Sequence, residues 1–230
     1  MNNNSFRFSQ KVVGQERKAI ATVIAEALEG QVRYTGAPGF MYEVNDEKSA
    51  GSWTVDRDSV VHSPKISLNE IKNIRPVIDA LNMAGLSAEG TMTITLFLEG
   101  FSETSLENLN NMLASKETLI KKALSVDREL KVSAENNEIT FPFWNATLNT
   151  DEVQTYITLA RQMAEQAKAQ KRVLRNEKTS DNEKYAFRCF LLRLGFIGDN
   201  FKTERKVLLS RLSGNGAYRK GRAKAVDENE

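Results

Sequence analysis

The order strand–helix–hairpin–helix occurs twice along the chain, and it constrains the fold more than any single motif. In the first copy, the alternating segment SFRFS at 5–9 precedes a helical pattern at 15–30. In the second, the stronger alternation of TMTITLFL at 91–98 precedes a helical pattern at 102–125, which is predicted to break near Ser115, and a hairpin pattern at 129–144 around Asn136 and Asn137. Alternating strands bury one face of an antiparallel sheet, and amphipathic helices cover that face. The sequence therefore predicts an α+β fold with antiparallel sheet units.

The domain boundaries follow from the same patterns. Residues 1–148 are predicted to form the α+β domain. The repeated order fits either two similar units, at 6–85 and 92–175, or two unrelated α+β segments, because no residue-level identity connects the copies. An all-helical basic region is predicted at 149–214, and a flexible tail at 215–230, where glycine and polar residues replace the apolar periodicity.

Three helices are predicted in the C-terminal region, at 149–178, 179–195 and 200–214. The second has apolar residues on two sides, with Phe187 on one and Cys189 on the other. A helix that is apolar all round is buried or docks a partner. We expect burial, with Cys189 as a small core side chain rather than a nucleophile, and docking is the alternative.

Charge divides the chain into an acidic front and a basic back. Residues 1–150 hold 15 basic and 19 acidic side chains, whereas 151–230 hold 17 basic and 11 acidic ones. Within 161–226 the count is 17 basic against six acidic side chains. Such an asymmetry favours a polyanionic partner for the back, with a basic surface that only maintains solubility as the alternative.

Four cations of the first predicted C-terminal helix share one flank. At 100° per residue they fall within about 60° of one another, beside the apolar stripe. They span about 21 Å, which is long enough to follow a phosphate backbone. The four residues are Arg161, Lys168, Arg172 and Arg175. The alternative is a solvated flank, because Lys and Arg are common on helix surfaces.

The third predicted helix and the tail supply further candidate binding residues. On the helix these are Lys202, Arg205, Lys206 and Arg211. In the tail, Tyr218 could stack on a base, and Arg219, Lys220 and Arg222 could contact phosphates. The chain ends with the acidic segment AVDENE, which weighs against a simple polybasic tail.

The single histidine and the single cysteine exclude several kinds of site. His62 and Cys189 are too few ligands for a structural zinc site, and an acyl-transfer triad would need His62 as its base. We expect His62 at the surface or in a loop. Asp56 and Asp58 fall in a predicted turn, where aspartates bond their own backbone. No P-loop, dinucleotide fingerprint or nucleophile elbow occurs, so we expect no enzyme, no metal and no cofactor.

Composition also bears on location. No apolar run approaches about 18 residues, the length that a membrane-spanning helix needs. The start, MNNNSFRFSQK, lacks the pattern of a signal peptide, and one cysteine cannot form an internal disulfide. These features predict a cytoplasmic protein that does not contact a membrane.

Several segments resemble a family labelled only “virulence-related”, which conjugative elements and prophages of gut Firmicutes carry. The resemblance covers most of the chain, in GAPGFMYEV, WTVDRDSVV, LASKETLIKKAL and ITFPFW, and it is densest at 182–221, NEKYAFRCFLLRLGFIGDNFKTERKVLLSRLSGNGAYRKG. It implies a bacterial cytoplasm and a mobile genetic element, and it assigns no residue roles. Small proteins of such elements often bind host defence nucleoproteins, and some are similar in size and setting to type II anti-CRISPR inhibitors.

Together the residues and the resemblance predict a non-enzymatic binding protein of a mobile genetic element that acts on nucleic acid or a nucleoprotein. Its most specific form is an inhibitor of host CRISPR defence, with Cas9 and its guide RNA as the partner. The alternative is a protein–protein interaction module without nucleic-acid contact, which would use the 179–195 helix or the acidic front. The oligomeric state stays open.

Overall fold

The structure is a computed structural model that describes residues 4–45, 51–176 and 181–217. Within these ranges, nine strands form one antiparallel sheet and seven α-helices accompany it, so the predicted α+β class is confirmed. The C-terminal part is helical, as predicted. None of the described helices is both long enough and apolar enough to cross a membrane.

The strands alternate with helices in the first part of the chain and are absent from the described residues after 145. The strands are β1 (Ser5–Val13), β2 (Gln31–Tyr34), β3 (Tyr42–Asn45), β4 (Trp53–Val55), β5 (Val60–His62), β6 (Ile66–Ser67), β7 (Ser87–Phe97), β8 (Ser133–Glu135) and β9 (Glu138–Asn145). The helices are α1 (Arg17–Leu28), α2 (Arg75–Met83), α3 (Glu103–Ala114), α4 (Glu117–Leu124), α5 (Thr150–Ala169), α6 (Glu183–Arg193) and α7 (Lys202–Leu209). Short 3-10 turns precede α2 (Ile71–Ile74) and α7 (Asp199–Phe201).

Both predicted units contribute to the same sheet. Its strand order is β2-β3-β4-β5-β1-β7-β9-β8, and β6 also pairs with β1. The long strands β1 and β7 pair in the middle, where Phe8 lies opposite Ile94. The first segment runs β1, α1, β2 to β5 and α2, and the second runs β7, α3 and α4, β8 and β9, and α5. The first segment therefore has four consecutively paired strands, β2 to β5, where the second has the single hairpin β8–β9, and the two segments meet along the β1–β7 pair.

One face of the sheet is apolar and covered by helices. On β7 the side chains of Met92, Ile94 and Leu96 are fully buried, as the alternation in the sequence predicts. Helix α1 packs on β2 to β4, α5 packs on β7, and α2 and α3 pack against α5 from either side. Trp144 of β9 stacks on Tyr156 of α5 with ring centroids 5.1 Å apart. The opposite face carries polar residues, and most of them are half-buried or exposed, such as Arg7, Ser9 and Thr93.

Local signals placed two features correctly. The helical pattern at 102–125 divides into α3 and α4 near Ser115, and the Ser102 hydroxyl caps α3 by accepting a hydrogen bond from Ser105 N. The hairpin turn lies at Asn136 and Asn137, which adopt positive φ values of 50° and 64°. Asparagine tolerates this conformation and suits a tight hairpin, so the sequence specified the turn.

The first C-terminal helix is shorter than predicted. Helix α5 ends at Ala169 instead of continuing to 178, because Gln170 is extended with φ −93° and ψ 137°. Side chains of α3 hold the next residues: Asn108 Nδ2 donates to Gln170 O at 2.7 Å, and Val173 N donates to Asn108 Oδ1 at 2.9 Å. Helix α7 is also shorter than the predicted 200–214.

Candidate functional site

The C-terminal helices form an outer layer on α5. Helix α7 packs on α5 and α4, and α6 packs on α7. Leu208 of α7 and Phe187 and Leu191 of α6 are fully buried in this contact layer. One apolar side of each helix therefore faces the protein, and the predicted binding cations that the structure describes divide into two groups.

Four of the predicted binding cations are anchored by the protein itself, and we call them the anchored set: Arg161, Lys168, Arg205 and Arg211. Arg161 Nη1 donates to Leu68 O at 3.0 Å, and Lys168 Nζ donates to Glu99 O at 2.6 Å. These bonds join α5 to distant loops, and both side chains are only partly exposed. Their first role is structural, because each bond ties α5 to the backbone of a segment far away in the sequence.

Arg205 and Arg211 are held in the same way. Arg205 Nη1 donates to Phe196 O at 3.0 Å and to Gly198 O at 2.8 Å, closing the turn before α7. Arg211 donates to Glu152 Oε1 at 3.1 Å. Burial lowers the pKa of Arg211, but its bonds with Tyr156 and Glu152 more than offset this and raise the pKa, so the guanidinium stays charged.

The other four predicted binding cations that the structure describes are free to contact a partner. We call them the exposed set: Arg172, Arg175, Lys202 and Lys206. All four are exposed, and no hydrogen bond or ion pair with another described residue holds them. The predicted single flank is wrong, however. Arg172 and Arg175 follow the end of α5 and do not continue the helical row that begins at Arg161.

The last described residues lie along the start of α6. Lys184 N donates to Ser213 O at 2.9 Å, and Arg188 Nη1 donates to Gly216 O at 3.1 Å. These contacts place the last described residues beside Lys184 and Arg188 of α6. The predicted tail residues lie outside the described residues: Tyr218, Arg219, Lys220 and Arg222.

Glu183, at the first position of α6, ties this region together. Lys122 Nζ of α4 lies 2.7 Å from both of its carboxylate oxygens, and Ser213 N donates to Oε2 at 2.9 Å. The Lys122 ammonium and the Ser213 donors lower the pKa of Glu183 from 4.5 to about 2. One carboxylate therefore joins α4, α6 and the chain that leads into the tail.

The second apolar side of α6 is only partly covered, so its predicted burial is wrong for that side. Phe187, on the inner side, is fully buried, whereas Cys189 is half-buried and Leu192 is 37% exposed. Ile197, just beyond the helix, is 65% exposed. No other described part of the chain covers this strip.

His62 is a candidate that sequence reasoning discounted. It ends β5 on the uncovered face of the sheet, half-exposed, and its Nε2 lies 3.1 Å from Asp56 Oδ2. Asp56 Oδ1 accepts from Asp58 N and Val60 N, so the predicted turn aspartate is confirmed. Burial opposes ionisation of Asp56, but the bonds from Val60 N, His62 and Asp58 N outweigh it and lower the pKa. Nothing local in VVHSPK signals this pair.

Neither a metal site nor a known relative assigns a function to the described part of the chain. Among the residues that the structure describes, no group of three or more His, Cys, Asp or Glu side chains is placed to hold a metal ion. No protein-family model matches the chain, and no curated protein matches it. The surface chemistry of the described residues is therefore the structural basis for a functional assignment.

Proposed function

We propose that the chain is a non-enzymatic binding protein that engages nucleic acid, free or within a nucleoprotein, through its C-terminal helical region. The observation that supports this most directly is the exposed set, four unpaired cations on the C-terminal third. Residues 181–217, which include Lys202 and Lys206, hold seven basic and four acidic side chains, so this stretch of the chain has a net positive charge. The tail that begins beside α6 adds more basic than acidic residues up to Lys224.

The anchored set and the exposed set would have different roles in a phosphate-binding surface. The anchored set holds the helices in place against the rest of the fold. The exposed set remains hydrated until a phosphate displaces the water and counterions are released. Exposed Lys and Arg lose little by exchanging water for phosphate, since no protein carboxylate competes for them. The proposal therefore assigns binding to the exposed set and stability to the anchored set.

Fluorescence anisotropy with a short DNA duplex and with a single-stranded RNA tests the assignment. The test variant is R172Q/R175Q/K202Q/K206Q. The matched control, R33Q/R57Q/K72Q/K131Q, removes four exposed cations from the first 148 residues and changes the net charge equally. The test variant is expected to bind at least about tenfold more weakly than the control. Equal affinities of the two variants would remove the basis of the proposal.

A finer form of the proposal places the protein in a mobile genetic element and in the bacterial cytoplasm, with Cas9 and its guide RNA as the nucleoprotein. Its support is the family resemblance given above. Cleavage of a target duplex by guide-loaded Cas9, measured with increasing amounts of the protein, tests it. Inhibition by the wild type and weaker inhibition by the four-site test variant are expected. Undiminished cleavage at saturating protein rejects this form and leaves the general one in place.

A second candidate function is protein–protein docking without nucleic acid. The half-exposed strip of Cys189, Leu192 and Ile197 favours it, because apolar side chains there have no cover among the described residues. Capture of partners from a host lysate with and without nuclease separates the two functions. Partners that survive nuclease treatment but are lost with Leu192→Glu support docking, and partners lost with nuclease support the first function.

A further inference from the structure

Two rows of polar side chains cross the uncovered face of the sheet. Strand register places the members of each row side by side on neighbouring strands. The first row, on β4, β5, β1 and β7, is Thr54, His62, Ser9 and Thr93. The second row lies two residues away along β1 and consists of Arg7, Thr95 and Thr140. Both rows belong to the face opposite the helices, since their neighbours along each strand are the buried core residues.

These rows form the floor of a groove. Most members of the rows carry short hydroxyl side chains. The longer side chains of Arg7 and Met41 also line the groove. The groove has a volume of about 630 Å³. Small-molecule sites usually have volumes of about 300–1,000 Å³, so the space suits a ligand with the size of a nucleotide or a sugar phosphate.

The ionisable side chains that line the groove are nitrogen groups that can donate hydrogen bonds to an anion. Arg7 and His62 are the ionisable residues among the described side chains that line it, and no carboxylate is among them. Each is held at its border by an acid: Glu138 lies 3.4 Å from Arg7 Nη2, and Asp56 lies 3.1 Å from His62 Nε2. An ionised carboxylate only accepts hydrogen bonds, so Nε2 donates to Asp56, and Nδ1 donates to a further acceptor only when the ring carries both protons.

We propose that this groove binds a small phosphate ester that also carries hydroxyl groups, the chemistry shared by sugar phosphates and nucleoside monophosphates. Arg7 lies two residues from Ser9 on β1, and Ser9 pairs with His62 on the neighbouring strand β5. The Cα atoms of Arg7 and His62 are therefore about 8 Å apart. Both side chains line the groove, so a phosphate held between them can accept from the Arg7 guanidinium, from the doubly protonated His62 ring and from a hydroxyl together. The remaining Ser and Thr hydroxyls donate to and accept from the hydroxyl groups of the ligand.

This site is independent of the proposed nucleic-acid surface. The groove lies on the open face of the sheet, whereas α6 and α7 lie on the helical side, outside α5. Loss of binding at one surface therefore leaves the other intact, and the two proposals can fail separately.

Isothermal titration with ribose 5-phosphate, adenosine 5′-monophosphate, ribose and inorganic phosphate tests the proposal. The informative variant is Arg7→Gln, and Lys11→Gln is its matched control. Both cations lie on the same face of β1, both have side chains that are 49% exposed, and each pairs with one glutamate. Only Arg7 lines the groove.

At least one phosphate ester is expected to bind, more tightly than ribose or inorganic phosphate, and the stronger of the two esters identifies the ligand class. Arg7→Gln is expected to weaken that binding by about tenfold or more, and Lys11→Gln by less than about twofold. His62→Gln should also weaken it. The proposal is overturned if neither ester binds at millimolar concentrations, if inorganic phosphate binds as tightly as the esters, or if the two β1 variants behave alike.

Discussion

Replacing Glu183 with Gln should destabilise the attachment of the C-terminal helices. Glu183 receives the Lys122 ammonium on both oxygens at 2.7 Å, together with the Ser213 hydroxyl at 2.7 Å and backbone N–H at 2.9 Å. A neutral amide cannot replace the charge-assisted bond to Lys122, and its NH₂ group can no longer accept from a donor. The expected loss of stability therefore comes from one carboxylate that joins α4, α6 and the segment around Ser213.

The magnitude follows from the pKa of Glu183. Lys122 and Ser213 lower this pKa from 4.5 to about 2. At about 1.4 kcal/mol per pKa unit, the whole difference amounts to roughly 3 kcal/mol. The side chains of Glu183 and Lys122 are 21% and 45% exposed, so water screens part of the interaction. We therefore expect Glu183→Gln to lower the free energy of unfolding by about 1–2 kcal/mol near neutral pH.

The effect has a defined pH window. Because the pKa of Glu183 is lower in the folded protein than its ordinary value of 4.5, the ionised carboxylate contributes its full stabilisation above about pH 4.5. That contribution is lost as the pH falls towards about 2, where the carboxyl takes up a proton in the folded state as well. The difference between wild type and variant should shrink over this range.

Urea unfolding followed by circular dichroism, near neutral pH and near pH 2.5, measures both quantities. Glu117→Gln is the matched control, because Glu117 pairs with Lys121 within α4 at 2.6 Å. Such a pair within one helix contributes only about 0.3–0.5 kcal/mol. The reasoning is refuted if the two variants lose equal stability near neutral pH, or if the loss in Glu183→Gln is undiminished in acid.

Three further substitutions address the fold, each measured by urea unfolding. Trp144→Ala should lower the free energy of unfolding by about 3–5 kcal/mol, because a fully buried ring stacked on Tyr156 is lost. Gly214→Ala should lower it by about 1–3 kcal/mol, because φ is +95° and a Cβ would collide with the Asn182 side chain. Asn137→Val should lower it by about 1 kcal/mol or more, because φ is +64° there, whereas Asn137→Gly should be tolerated.

Each of these has a result that contradicts it. A stable Trp144→Ala protein would mean that β9 and α5 are not packed as described. Gly214→Ala with unchanged stability would mean that the chain does not pass close to Asn182. Equal stability of the Val and Gly variants at position 137 would mean that the turn does not need a positive φ.

The sequence predicted those parts of the fold that short-range patterns control. The alternation in TMTITLFL specifies β7, since one side of a strand must be apolar when one face of its sheet is buried. Likewise, Asn136 and Asn137 specify a hairpin because few residues accept positive φ. Such signals lie within a few residues and need no knowledge of the partner strand.

The end of α5 depended on contacts that no local pattern contains. Residues 170–176 read as helical because Lys, Arg, Leu and Gln are good helix formers. In the fold, Asn108 of α3 offers its amide to Gln170 and Val173, 62 and 65 positions away. The tertiary bonds override the propensity, so the single cationic flank predicted from the helical wheel was not formed.

The candidate sites could be predicted only in part, because they too depend on contacts between residues far apart in the chain. A helical wheel shows that Arg161 and Lys168 share a side, but it cannot show that carbonyls of Leu68 and Glu99 occupy them. The groove beside His62 arises from the register among β1, β4, β5 and β7, which residue order alone does not fix. Both differences come from contacts between residues far apart in the chain.

The dependence of nucleic-acid affinity on salt tests the central claim most directly. If the exposed set contacts phosphates of a DNA duplex, the slope of log affinity against log salt should be shallower by roughly 3 to 4 in R172Q/R175Q/K202Q/K206Q than in the wild type. The charge-matched control variant should keep the wild-type slope. A wild type whose affinity does not fall with rising salt, or a test variant with an unchanged slope, would contradict the account.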